Sequence, residues 1–102
     1  MSGSRDTRRL IAVRNVNHPG VMHNVDAEMY EAMHHAMLQA LPVEPPGLTQ
    51  TEMLQAVLPH LPQTLFPDGA KAGWWAKTVQ LDLEAKGELI REGTKPLRWH
   101  RI

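Results

Sequence analysis

The sequence predicts an α+β fold of the winged helix-turn-helix kind: three helices, a C-terminal β-hairpin wing and a short N-terminal strand. Three observations lead there. The stretch AKAGWWAKTVQLDLEAKGELIREGTKPLRWHRI, residues 70–102, reads as one helix that runs into a hairpin. Two shorter helical patterns precede it, each with its own start signal. The chain has 102 residues, enough for one domain around one core.

Arg9 to Val16 (RLIAVRNV) is short and rich in Leu, Ile and Val, the signature of a strand. Asn17-His18-Pro19-Gly20 is turn chemistry, because proline fixes φ and glycine accepts positive φ. A first helix is predicted over Val25–Leu41. Asp26 is its N-cap, Glu28 and Glu31 suit its positive end, and Met29, Met33, Ala36, Met37 and Ala40 share one face. Pro42 ends it, and PVEPPG (42–47) is a stiff connector. A second helix is predicted over Leu48–Leu61. Thr49 and Glu52 form a T-x-x-E capping box, and Leu48 and Met53 have the spacing of a hydrophobic staple. Pro59 lacks an N–H, so the regular helix ends near Leu58. In the loop PQTLFPDG, Leu65 and Phe66 are expected to pack inward and Asp68 to cap the next helix.

The third helix is predicted over Ala70–Lys86, with two apolar arcs. Trp75, Ala76, Val79 and Leu83 form one; Trp74, Leu81 and Ala85 form the other. A narrow polar sector between them carries Lys77, Gln80 and Glu84. Gly87 is a natural C′ residue. In the hairpin, period-2 alternation sends Leu97 and Trp99 inward, Arg98 and His100 outward. Residues 1–8 are read as a flexible basic arm and residues 9–102 as the domain.

Charge is segmented although it sums to zero. Residues 17–70 contain no Lys or Arg, while Asp26, Glu28, Glu31, Glu44, Glu52 and Asp68 are acidic. From Lys71 onward, Lys71, Lys77, Lys86, Arg91, Lys95, Arg98 and Arg101 face only Asp82, Glu84, Glu88 and Glu92. Such bipolarity suits nucleic acid or a docked acidic partner. The absence of cysteine excludes a disulfide framework and a thiolate metal site, and fits a reducing cytoplasm. No apolar run is long enough for a signal peptide core or a membrane span, so a cytoplasmic chain without a membrane partner is expected.

The segments GLTQTEM (47–53), LFPDGAKAGWWAKTVQLDLEAKGELIRE (65–92) and KPLRWHR (95–101) resemble a small bacterial family defined as a domain of unknown function. The resemblance is strong from Leu48 to Arg101 and weaker over the first helix. It brings no activity with it. More generally, the order helix, helix, L-x-L-E-x-x-G, hairpin is similar to winged-helix domains of bacterial transcription regulators and of Mrr-type restriction systems. That likeness implies a third helix in the major groove and a wing on phosphates. Here the loop before the third helix is long and that helix is poor in basic residues.

For double-stranded DNA, Lys77 and Gln80 are the candidates to face the groove, and Arg91, Lys95, Arg98 and Arg101 the candidates to hold phosphates. The other reading is a protein-interaction module, a homodimer or a complex with another protein, that uses Trp74 and Leu81 or the methionine-rich first helix. Trp74 and Trp75 are adjacent and point about 100° apart, so one is expected in the core with Trp99 and the other partly exposed. The six histidines lack the i, i+4 pair of a helical zinc clamp; no metal site and no cofactor are expected. No nucleophile elbow, P-loop or facing carboxylate pair is present, so no enzyme is expected.

Overall fold

A computed structural model describes residues 9–102; the basic arm assigned to residues 1–8, with Arg5 and Arg8, lies outside them. The first strand forms as expected, as β1 (Leu10–Arg14). Its partner was not foreseen. Met22–Asp26 (β2) pairs with it antiparallel, Leu10 opposite Asp26 and Arg14 opposite Met22, across the Asn-His-Pro-Gly turn. Only Val25 of β2 is buried, so no alternation announces that strand.

Asp26 then caps α1 (Ala27–Ala40), its Oδ1 accepting from the N–H of Glu28 at 2.8 Å and of Met29 at 3.2 Å. Tyr30, Met33, Ala36 and Met37 form the buried face. The connector 42–47 leads to a two-residue strand, β3 (Leu48–Thr49), so α2 covers Gln50–Val57 instead of starting at Leu48. The capping box is complete: Thr49 Oγ1 accepts from the Glu52 N–H and the Glu52 carboxylate accepts from the Thr49 N–H. That amide holds the Glu52 carboxyl below the usual carboxylate range. Regular helix gives way to a 3-10 turn at Leu58–His60, around Pro59.

Phe66 is buried and Leu65 packs on the core, as expected. Asp68 does not cap the next helix. It takes φ +53° and accepts from Gln63 Nε2, while Lys71, at φ +65°, stands at the helix start without a side-chain cap. α3 (Ala72–Ala85) ends in a Schellman motif. The Glu88 N–H donates to the Leu83 carbonyl and the Gly87 N–H to that of Glu84, with Gly87 at φ +79°.

The hairpin strands are β4 (Leu89–Glu92) and β5 (Arg98–Arg101). β3 adds to the other edge of β5, giving the order β3-β5-β4. Gly47 permits that pairing: it takes φ +91°, and a Cβ there would overlap the Trp99 carbonyl. Trp99 faces the core. His100, expected outward, is only 6% exposed, with the backbone of Val43 beside it; as the middle strand, β5 has no fully solvated face at this point. Leu97, expected inward, lies in the exposed connector before β5. The result is an α+β fold of three helices and two small antiparallel sheets, with a core centred on Met33, Met37, Met53, Val57, Phe66, Val79 and Leu83.

Candidate functional site

The wing arginines are largely spent inside the fold. Arg91 on β4 grips Glu84 of α3 with two nitrogens, Nε at 2.8 Å and Nη2 at 3.1 Å, and lies over the Trp99 ring. Arg98 Nη1 donates to the Gly47 carbonyl at 3.0 Å and to Glu52 at 3.2 Å. Arg101 donates from Nε to the Leu41 carbonyl and from its backbone to the Pro42 carbonyl, holding the end of α1 and its connector. Lys77 and Lys95 are exposed and have no acidic partner among the described residues.

Gln80 does not lie on an exposed sector. It is 0% exposed, its Nε2 donates to Glu84 at 2.9 Å, and its Oε1 has no partner among the described residues. Leu81 is 8% exposed and offers no surface to a partner, because the N-terminal hairpin covers that side of α3. Trp74 does offer one: it is 56% exposed and stands edge-on to the buried Trp75, ring centroids 5.0 Å apart.

A polar cluster that periodicity gave no hint of ties the domain together. Asp82 of α3 is fully buried. Its Oδ1 accepts from the backbone N–H of Arg14 in β1 at 2.8 Å, and its Oδ2 from Lys86 Nζ at 2.7 Å and from the Tyr30 hydroxyl of α1. Lys86 also lies over the Tyr30 ring. Burial, and then the bond to Asp82, push the Tyr30 phenol above its ordinary range. Next to it, His34 Nε2 meets Glu88 at 3.1 Å. These residue types suit acid–base work, but Tyr30 and Asp82 are sealed from water, and a catalytic group must reach its substrate. The cluster is a tether between β1, α1 and α3. Among the described residues no group of three metal-binding side chains forms, and no helix is long and apolar enough to cross a membrane.

Apart from a hollow of about 200 Å³ between the β1–β2 turn and Ala85, and one of about 330 Å³ lined by Asp26, Glu28, Lys71 and Trp75, the described residues leave open a groove between the start of α2, the outer face of α3 and the wing. It consists of two adjoining hollows of about 280 and 380 Å³, which share Gln50, Thr51 and Lys77. Leu54, Gly73 and Ala76 complete the first. Thr49, Pro96, Leu97 and Trp99 complete the second. No acidic residue lines either one. Of the candidate site residues read from the sequence, Lys77 lines this groove; Lys95 is next in sequence to Pro96 and Trp74 lies three residues before Lys77, but neither lines it, and Arg91, Arg98 and Arg101 stay in their internal bonds. Leu97, which alternation sends inward, instead lines the groove from the exposed wing connector, with Pro96 beside it.

Comparison with known proteins adds one match. A model of a family of unknown function (DUF6958) matches residues 10–99, and so takes in the N-terminal hairpin and α1 as well as the segments quoted above. Neither a curated protein nor a solved structure matches.

Proposed function

The chain belongs to that family of unknown function, so no activity comes with membership, and we propose from the geometry that it is a protein-interaction module that docks a partner in the α2–α3–wing groove. The scaffold is of winged-helix type. After the N-terminal hairpin, the order helix, strand, helix, helix, hairpin and the pairing β3-β5-β4 support that reading.

The observation that carries the reading is the fate of the arginines. Gripping a duplex takes unengaged cations, commonly about 6–10 phosphate contacts for a strong binder. Arg91 and Arg98 are already matched to carboxylates, and Arg101 is tied by its Nε to the Leu41 carbonyl. Gln80, the base-reading candidate, is buried. Two lysines and an apolar groove fit a protein segment better than a phosphate backbone.

DNA is the second reading, favoured by the element order and by Lys77 and Lys95 at the wing. One experiment separates the two. The full chain and its Leu97→Asp variant are used to capture partners from cells that express it, and both are titrated with labelled duplex DNA at low salt. A captured protein lost with Leu97→Asp, with no salt-steep DNA binding, is the expected result. Tight duplex binding that falls steeply with salt and ignores Leu97→Asp would overturn it.

A further inference from the structure

The groove has a chemical character of its own, beyond being a place to dock. Its two hollows meet at one shared cation, Lys77, and each is walled by apolar groups. Leu54 and Ala76 wall one, Pro96 and Leu97 the other. Lys77 has no acidic partner among the described residues, and Lys95, also without one, stands at the wing end. The carboxylate nearest in sequence to the groove residues, Glu52, is bound by Arg98 and by the Thr49 amide. A segment lying along the groove therefore meets apolar surface, positive charge, then apolar surface again.

We infer that the groove takes an acidic apolar segment of a protein partner, in which an Asp or Glu seated on Lys77 is flanked on both sides by apolar side chains. This rests on the interaction-module reading above. Charge complementarity selects the class. A basic segment would set its charge against Lys77, and an uncharged one would leave the ammonium half-covered without a partner, which costs binding energy. The apolar flanks supply the buried area, against Leu54 and Ala76 on one side and Pro96 and Leu97 on the other.

The test is a random-peptide display library panned on the full chain, followed by anisotropy titrations of a labelled peptide made to the enriched pattern. The enriched peptides are expected to share an acid between apolar residues. Lys77→Glu should weaken binding about tenfold or more, with Lys77→Gln in between. A peptide with Lys in place of the acid should recover affinity for the Lys77→Glu chain. Lys77 is exposed, so both variants are expected to keep the parent's melting temperature. Enriched peptides without an acid, or affinity indifferent to Lys77→Glu, would overturn the inference. If those peptides still lose binding with Leu97→Asp, the docking groove itself survives. If no peptide is enriched and duplex DNA binds with a steep salt dependence, both readings fall. A concentration-dependent rise in mass reversed by Lys77→Glu would replace the outside partner with a second copy of the chain and also overturn the inference as stated.

Discussion

Asp82→Ala should remove a large part of this domain's stability, and the magnitude follows from what the carboxylate touches. Three donors converge on it: the Arg14 amide, the Tyr30 hydroxyl and the Lys86 ammonium. Lys86 is one-third exposed and can turn to water, so its loss is minor. The Tyr30 hydroxyl is buried, and the Arg14 amide, which faces α3, loses its acceptor. Stranding a buried donor costs about 1–3 kcal/mol each, and breaking a buried charged network about 3–5 kcal/mol in all. A chain of this size has roughly 5–15 kcal/mol to lose. In urea unfolding, with a slope of about 2 kcal/mol per molar, the midpoint should fall by about 2 M. Tyr30→Phe removes one donor and strands nothing, so it should cost only about 1–2 kcal/mol. The triple change Tyr30→Phe, Asp82→Leu, Lys86→Met replaces the side chains of the network with apolar groups and should recover part of the loss, the Arg14 amide still lacking its acceptor. Hydrogen exchange gives a local reading: the Arg14 amide should exchange faster in Asp82→Ala than its β1 neighbours do. A midpoint unchanged in Asp82→Ala, or a Tyr30→Phe as damaging as Asp82→Ala, would refute the tether.

The two adjacent tryptophans should separate cleanly in thermal melts. Trp75→Ala should cost about 3–5 kcal/mol as a cavity in the core, while Trp74→Ala, at an exposed position, should stay within about 0.5 kcal/mol of the parent. Gly47→Ala should cost about 3–5 kcal/mol or prevent folding, because the added Cβ meets the Trp99 carbonyl at a positive φ; near-UV circular dichroism of Trp99 would register the lost β3–β5 pairing. The hydrogen bond that His100 donates to the Glu92 carboxylate raises the His100 pKa above its ordinary 6.5 against the opposing effect of burial. A raised folded-state pKa means that this contribution is whole below about 6.5 and is lost as pH rises through the higher folded value. Urea midpoints of the parent should therefore fall relative to those of Glu92→Gln between mildly acidic and mildly alkaline pH, and parallel curves for the two chains would contradict the pairing.

The elements that sequence announced are those governed by local chemistry. The Thr49–Glu52 capping box, the Asp26 cap, the break at Pro59 and the glycine at 87 each act within a few residues, and each appears where local rules put it. The face Trp75, Ala76, Val79 and Leu83 follows from helical period alone. β2 and β3 escaped because neither is defined by its own pattern: β2 buries one residue of five, and β3 is two residues long and exists because β5 lies beside it. Gln80, Asp82 and His100 escaped for the opposite reason. Periodicity sends a polar side chain to water unless a partner is known, and two of the three partners of Asp82, Tyr30 and Arg14, lie 52 and 68 residues away in the chain.

The same blindness to partners shaped the reading of charge. Counting from Lys71 onward gave a basic end and hence a phosphate stripe. Yet Glu84 faces Arg91 across the turn from helix to strand, and Glu52 reaches Arg98 from a segment that the count had assigned to the acidic middle. Arg101 has no such counter-charge among the described residues, but its Nε is held by the Leu41 carbonyl, which no count includes. Arginine's fork suits this internal work, since it bonds a carboxylate or several carbonyls in one fixed geometry. Lysine offers a mobile point charge that is cheap to leave in water, and Lys77 and Lys95 are left so beside the wing. The exposed positive charge beside the wing groove therefore comes from two lysines, while Arg91, Arg98 and Arg101 are tied into the construction of that side.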